Sequence, residues 1–398
     1  MPGFARLYAG LLLGRVGGTM WLLILVLFVL GRYHSPQLAG ITAFLAILPG
    51  LLLAPLAGAL LDRHGRAPLV VADYLIAALA AGLIAALSAL HALPPPVLLT
   101  IVTLASLTNP LSGAGARSLF PTLVPRPLWE RANALDSSGH VIATLVAAPL
   151  AGTLVGLAGG ALALAAAGAL FLAAAIAMLR LPEPARAAPS EGSVLQNAWR
   201  GLEYVVRNPT LRGLALTLST LNLGSGLLYI ALPVLVLDRL HGGPTTVGLL
   251  WGAMGAGGLI AALAAGRFST LGRERQMIVG AVLISGAAIA VLPFAGAVAG
   301  VAVAVVVLGA ANGALDIAMF TLRQRRTDPA WFGRAFAVSM SLNYAGSPIG
   351  SALAGPLVAW SLNAALWFAV VITLVAAAFP LLLMPARDEL ARGAREEG

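Results

Sequence analysis

Apolar runs long enough to cross a hydrocarbon core as a helix, about 20 residues each, follow one another along this chain with few breaks. That succession constrains its fold more than any other feature. Twelve runs are readable, at residues 4–31, 38–61, 68–91, 97–118, 135–157, 160–180, 211–236, 246–266, 277–296, 299–322, 335–358 and 362–384, hereafter segments 1 to 12. They are continuous and rich in Ala, Leu and Gly rather than alternating, which predicts helices and not the strands of a barrel. The chain is 60% hydrophobic and 10% charged, outside the range of soluble domains. The first run is too long, and its Arg15 too deep, for a cleaved signal, so it is read as segment 1. The expected fold is an all-α polytopic membrane protein with twelve transmembrane helices in two pseudo-symmetric six-helix bundles.

All 24 basic residues are Arg, and the net charge is +9. Basicity alone suggests nucleic acid, but position argues for topology. With twelve crossings, 21 Arg fall on the side of the termini, while Arg32 and Arg239 fall opposite and Arg15 lies within segment 1. The positive-inside rule then predicts both termini in the cytoplasm of a cell-membrane protein, with membrane lipid as a partner and no nucleic acid. Cysteine is absent, and the 5 His have no metal-ligand spacing. No HExxH, GxSxG or Walker loop is present, so no cofactor, metal or enzymatic activity is implied. A receptor or scramblase fits the composition but leaves the internal repetition described next without a purpose.

Four regions follow from the polarity profile: a bundle at 1–180, a linker at 181–210, a second bundle at 211–385 and a tail at 386–398. The linker opens on the loose stretch "LPEPARAAPSEG" and continues as an amphipathic helix. There Leu195, Trp199, Leu202 and Val206 share one stripe, and Glu203 sits four residues before Arg207. Such a helix either lies along the membrane surface or merely connects the bundles. Across the linker, "GRVGG" of segment 1 answers "LNLGSG" of segment 7, aligning Arg15 with Asn222 and Gly17 with Gly224, and Asn109 answers Asn312. Two related halves are a transporter plan, because a site between rocking bundles opens to either side in turn.

Between segments 2 and 3 stands "GALLDRHGRAP". Gly58, Leu60, Asp62, Arg63, Gly65 and Arg66 resemble the G-x-L-x-D-R-x-G-R loop of the major facilitator superfamily. "ANAL" before segment 5, Gly201 to Leu211 before segment 7, and Gly333 with Arg334 before segment 11 resemble its drug, macrolide and siderophore exporter branch. The resemblance implies alternating access and a gate in which Asp62 faces the start of segment 11 near Arg334, since a helix N-terminus favours an anion. Arg63 and Arg66 would hold the loop near headgroups or carboxylates, and Gly58 would permit close helix approach. The bland alternative is a solvated turn. The same resemblance implies that segments 1, 4, 7 and 10 line a central cavity.

Ionisable residues inside apolar helices point to function by default. Asp316 is the leading proton carrier, with permanent pairing to an Arg as the competing reading. Asp73 is the second, more readily a salt link to the gate loop. Arg15 attracts an anionic group or pairs with a carboxylate. Trp21, Asn109, Asn222, Tyr229, Asn312, Met319 and Phe320 are candidate cavity residues suited to an amphipathic organic solute, although aromatic and Met side chains at helical spacing are more often packing residues. Asp136 and His140 form a candidate pair. Pro149 and Gly152 in segment 5, with Gly346, Pro348 and Gly350 in segment 11, are expected to bend and pack their helices. The function expected is proton-coupled efflux of a small amphipathic molecule by a monomer; import or facilitated diffusion of a metabolite is the alternative.

Overall fold

The computed structural model describes residues 2–119, 123–125, 128–179, 181, 194–328 and 331–385, all helical or connecting. Ten of its helices are long and apolar enough to cross a membrane. One of these, Trp129–Met178, carries segments 5 and 6 together and departs from helical dihedrals at Gly159, with φ 81° and ψ 163°. Segment 11 is split into Phe332–Tyr344 and Gly346–Trp360, each too short to count alone. Together these account for the two segments beyond ten. Gly159 adopts a conformation essentially closed to other residues.

Prolines explain most of the remaining breaks. A proline lacks the N–H that would bond the carbonyl four residues earlier, and its ring crowds that carbonyl. Segment 4 is interrupted after Ser106, four residues before Pro110, giving Pro95–Ser106 and Asn109–Ser118. Segment 11 breaks after Tyr344, four before Pro348, and segment 12 breaks after Ala376, four before Pro380. Segment 7, Pro209–Val234, contains Pro233 and runs into a π-turn at Leu235–Arg239. By contrast, the helix continues through Pro149, so that proline does not break segment 5.

The chain divides into two compact units, Met1–Val194 with Gly242–Gly252, and Leu195–His241 with Ala253–Gly398. In the first, segment 1 (Pro2–Tyr33) presents Gly10 and Gly14 to Met178 and Tyr74, whose side chains sit where Cβ atoms would otherwise stand, and Gly17 to a close contact with Phe171. In the second, added Cβ atoms at Gly346 and Gly350 would collide with the carbonyls of Ser219 and Leu223, which seats segment 11 directly on segment 7. Membrane helices approach this closely only through small residues. Gly152 plays the same part in the first unit, lying against Gly248. Gly58 does not: the space around its Cβ position is open, contrary to the expected close approach.

Each unit closes its first helix alike. Arg32 donates to the hydroxyl of Ser88 at 3.0 Å, and Arg239 donates to the carbonyl of Pro293 at 3.1 Å and to Asn363 Oδ1 at 2.7 Å. Two residues on, His34 and His241 both take φ of 50°. These R-x-H endings extend the internal repeat, since His is among the residues that tolerate a positive φ at a helix end.

The linker helix, Val194–Arg207, docks on the second unit. Val205 is 1% exposed within a cluster that includes Leu211, Leu214 and Leu322. Tyr204 stacks on Trp331 with centroids 5.1 Å apart, and its hydroxyl accepts the Asp328 N–H at 3.0 Å. Glu203 and Arg207 pair at 2.6 Å. Trp199 and Val206 stay exposed. One face of the helix is thus packed, and Trp199 and Val206 are left on its open side. The stretch at 182–193 and the tail at 386–398 lie outside the described residues.

Candidate functional site

A cavity of about 330 Å³ opens within the first unit, lined by Arg15, Trp21, Asp73, Tyr74, Asn109 and His140 among others. The proline break in segment 4 shapes one wall, because Asn109 and Ser112 follow it directly. Segment 3, Arg66–Ala89, supplies Asp73 and Tyr74. Gly14 leaves the space that the Tyr74 hydroxyl fills, and Tyr74 stacks on Phe171 at 6.4 Å.

Three charged side chains meet here. Arg15 Nη2 lies 2.6 Å from Asp136 Oδ1, while Nη1 donates to the Asp136 backbone carbonyl at 2.9 Å. Asp73 has no such partner. It is 2% exposed, its carboxylate lies beside the hydroxyls of Ser112 and Thr108, and Oδ1 makes no hydrogen bond. Both hydroxyls and the Ser112 backbone N–H donate to the Asp73 carboxylate, and the hydroxyls of Ser112 and Thr108 also reach the carbonyls of Asn109 and Ala105, at 3.2 and 3.1 Å. An unsatisfied buried carboxylate oxygen is rare enough to require a reason.

Several expected placements change. Among the described residues Asp73 makes no ion pair with the loop between segments 2 and 3; it lines the cavity beside Thr108 and Ser112 of segment 4. Asp136 pairs with Arg15, whose guanidinium reaches both its side chain and its carbonyl. Asn222 donates to the Asn343 carbonyl at 2.9 Å and joins segment 7 to segment 11. Met319 is 4% exposed in the apolar core. Phe320 stacks on Phe336 at 6.1 Å and packs under Arg323, so it too is a packing residue. Asn312 and Tyr229 are partly buried, and Asp316 is exposed, with no ion pair among the described residues.

In the gate loop, Gly65 joins two helices with φ 98° and ψ 150°, and its N–H donates to the Leu61 carbonyl at 3.1 Å. Arg63 is exposed and Arg66 half-buried. The side chains of Asp62 and Arg334 lie outside the described residues.

Sequence reasoning missed Arg323. It is 1% exposed, with Nη1 2.9 Å from Met340 Sδ and the Phe336 ring centroid 5.3 Å from its guanidinium carbon. With the Asn343 amide turned to satisfy its neighbours, Asn343 Oδ1 accepts from Arg323 Nη2 at 2.7 Å. No carboxylate pairs with it among the described residues. Its position at the end of segment 10 reads as a surface charge, and only the neighbouring segment 11 encloses it.

Over residues 7–350 and 214–398 the sequence matches the family profile described as Major Facilitator Superfamily. The chain belongs to the Major Facilitator Superfamily. Among its superfamily relatives, it is 39% identical to an uncharacterized MFS-type transporter, y4rN, of Sinorhizobium fredii over 97% of this chain and 96% of the relative. It is 27% identical to the multidrug efflux pump Tap of Mycolicibacterium fortuitum, over 96% and 92%. A solved bacterial homologue of the iron transporter ferroportin, 19% identical, superposes with a TM-score of 0.75 over 95% of this chain and 98% of that one, a likeness of fold. This superfamily member is thus a multi-pass membrane transporter.

Proposed function

We propose that the protein is a proton-coupled exporter of amphipathic organic compounds, working by alternating access from a cell membrane with both termini in the cytoplasm. The observation that carries this reading is the cavity of the first unit, where aromatic walls surround Asp73 and its unpartnered oxygen. Apolar walls with a few convergent polar groups suit a drug-sized amphiphile better than a sugar. Similarity to an efflux pump supports export over uptake.

Asp73 and Asp316 are the carboxylates of segments 3 and 10. Neither has an ion-pair partner among the described residues, so both are available to take and release a proton during the cycle. Asp62, facing the start of segment 11 near Arg334, latches one of the two access states. The protein works as a monomer with protons and a small-molecule substrate as its partners, needs no cofactor, and performs no chemistry on what it carries.

Transport into proteoliposomes under an imposed pH gradient tests this, with a panel of dyes and antibiotics and the variants Asp316→Asn and Asp73→Asn. The expected result is accumulation that follows the gradient and is lost in at least one variant. Accumulation indifferent to the gradient removes proton coupling. Gradient-driven accumulation that survives both substitutions moves the carrier elsewhere.

A further inference from the structure

We infer that segment 9 is straddled by one anionic phospholipid, with an acyl chain in the groove on each side of the helix and the headgroup held by Arg273 and Arg275. The inference goes beyond the export reading and does not rest on it; it needs only that these segments cross a bilayer. Segment 9 is the helix Glu274–Val291, and segment 10 is Val298–Arg325. Between them runs a cavity of about 390 Å³, with Met277, Gly280 and Ile284 on one wall and Val307, Ala310 and Ala314 on the other. On the side of segment 12 runs a second, of about 420 Å³, lined by Arg275, Gln276, Val279, Leu283 and Leu381. Gly280 lines both, and nothing stands within 4 Å of its Cβ position. The two grooves therefore meet at this glycine, with no side chain to divide them.

Their walls decide what fills them. The first groove has no polar side chain, so water finds none of the side-chain partners that hold it in place, while an empty groove forfeits the contacts of the atoms that line it. Ile284, Val307, Leu283 and Leu381 are exposed along the rims, which leaves both grooves open to hydrocarbon. From Arg275 to Ile284 the helix rises about 14 Å, close to one leaflet of a hydrocarbon core roughly 30 Å thick. The polar end is basic. Glu274 is 3% exposed and already taken, by Arg325 and by the Thr270 hydroxyl at 3.3 Å. Arg275 is fixed by neutral groups, donating from Nε to the Pro380 carbonyl at 3.0 Å and from Nη2 to the Leu381 carbonyl at 2.7 Å. Arg273 is exposed two turns before Gly280, on the same stripe of the helix. Neither arginine has an acidic partner among the described residues. Two uncompensated guanidinium groups above paired apolar grooves suit a phosphodiester, whose oxygens accept charge-assisted bonds, and basic pockets between membrane helices take anionic headgroups in this way. A zwitterionic headgroup brings a cation of its own to the same arginines.

The test is equilibrium binding of dioleoyl phosphatidylglycerol and dioleoyl phosphatidylcholine, lipids of matched chains and different headgroup charge, to the purified full-length protein in detergent. Wild type should bind the phosphatidylglycerol at least about 5-fold more tightly, the share of one arginine near an anionic headgroup. Gly280→Leu fills the open space where the grooves meet and should weaken that binding by a similar factor with melting unchanged. Arg273→Gln with Arg275→Gln should abolish the preference; if that variant melts early because the end of segment 12 is released, Arg273→Gln alone must still lower the preference about 2-fold. Inorganic phosphate at millimolar concentration should displace none of the lipid. Equal binding of the two lipids, a preference unchanged in the folded arginine variants, or affinity unchanged in Gly280→Leu overturns the inference. Displacement by inorganic phosphate also overturns it, leaving an anion site that holds no chains. A wild type that is dimeric by light scattering and a monomeric Gly280→Leu would overturn it too, by giving the grooves to a second copy of the chain.

Discussion

Arg15 and Asp136 are joined twice, by an ion pair of 2.6 Å between side chains and by a hydrogen bond of 2.9 Å from the guanidinium to the Asp136 backbone carbonyl. The two residues lie 121 positions apart in the chain, and the link ties segment 1 to the start of segment 5. Removing one partner leaves the other charged beside apolar walls, a loss that reaches 3–5 kcal/mol for fully buried pairs. Both side chains keep 15–18% of their exposure, so water softens the penalty. Asp136→Asn should cost about 1–3 kcal/mol. Arg15→Gln combined with Asp136→Asn should cost less than the sum of the two single changes. A double-mutant cycle read by thermal melting in detergent measures the coupling; additive losses would mean that the pair is not energetically joined.

The glycines divide into those that carry a helix contact and those that do not. Gly350→Val puts side-chain atoms where the Leu223 carbonyl stands, and overpacking of this kind costs about 1–3 kcal/mol. Gly58→Ala meets nothing within 4 Å. The first variant should accumulate poorly or melt earlier, and the second should melt like wild type. Equal melting of both would refute the packing role given to Gly350.

Arg323 is buried in the core, with no carboxylate partner among the described residues. Buried charges replaced by apolar groups of similar volume are often neutral or stabilising, so Arg323→Met should melt within about 1 kcal/mol of wild type or above it. Arg323→Lys should be worse, because a compact ammonium loses the planar fork and the ring stacking that the guanidinium has with Phe336. A lysine variant more stable than the methionine one would indicate that an anionic partner is present.

Tyr204 anchors the linker helix through its stack on Trp331 and its bond from the Asp328 N–H. Tyr204→Ala removes both, a change worth about 3 kcal/mol where an aromatic ring is well packed. Tyr204 is only partly buried, so the local cost should fall below that value. Trypsin should then cleave at Arg200 and Arg207 faster in the variant than in wild type, with the melting of the remaining protein little changed. Equal cleavage rates would show that Val205 and its neighbours hold the helix alone.

The segments were readable because length and apolarity decide membrane insertion one helix at a time: the helix Pro244–Ala265 lies within two residues of its predicted ends at 246 and 266. Breaks were less readable. Pro348 was seen as a bend, while Pro110 and Pro380 were not, although each follows the same four-residue rule. Pro149 lies within a helix that runs on past it to a departure from helical dihedrals at Gly159. Proline makes a break cheap; neighbouring helices decide whether it is used.

Which chains of charge and contact form was a matter of tertiary structure. Sequence alone determined a polytopic helical chain with arginines sorted to one side, two related halves and a family signature, because hydropathy and motif spacing are local properties. It also drew attention to Arg15, Asp73 and Asp316 as costly residues, and to Asp136 as a candidate partner of His140. Only folding decided that Arg15 and Asp136 neutralise each other, that Asp73 is left over, and that Arg323 is enclosed. Pairing depends on which faces of separate helices meet, and in a membrane that is settled by glycines and broken turns scattered over a hundred or more residues.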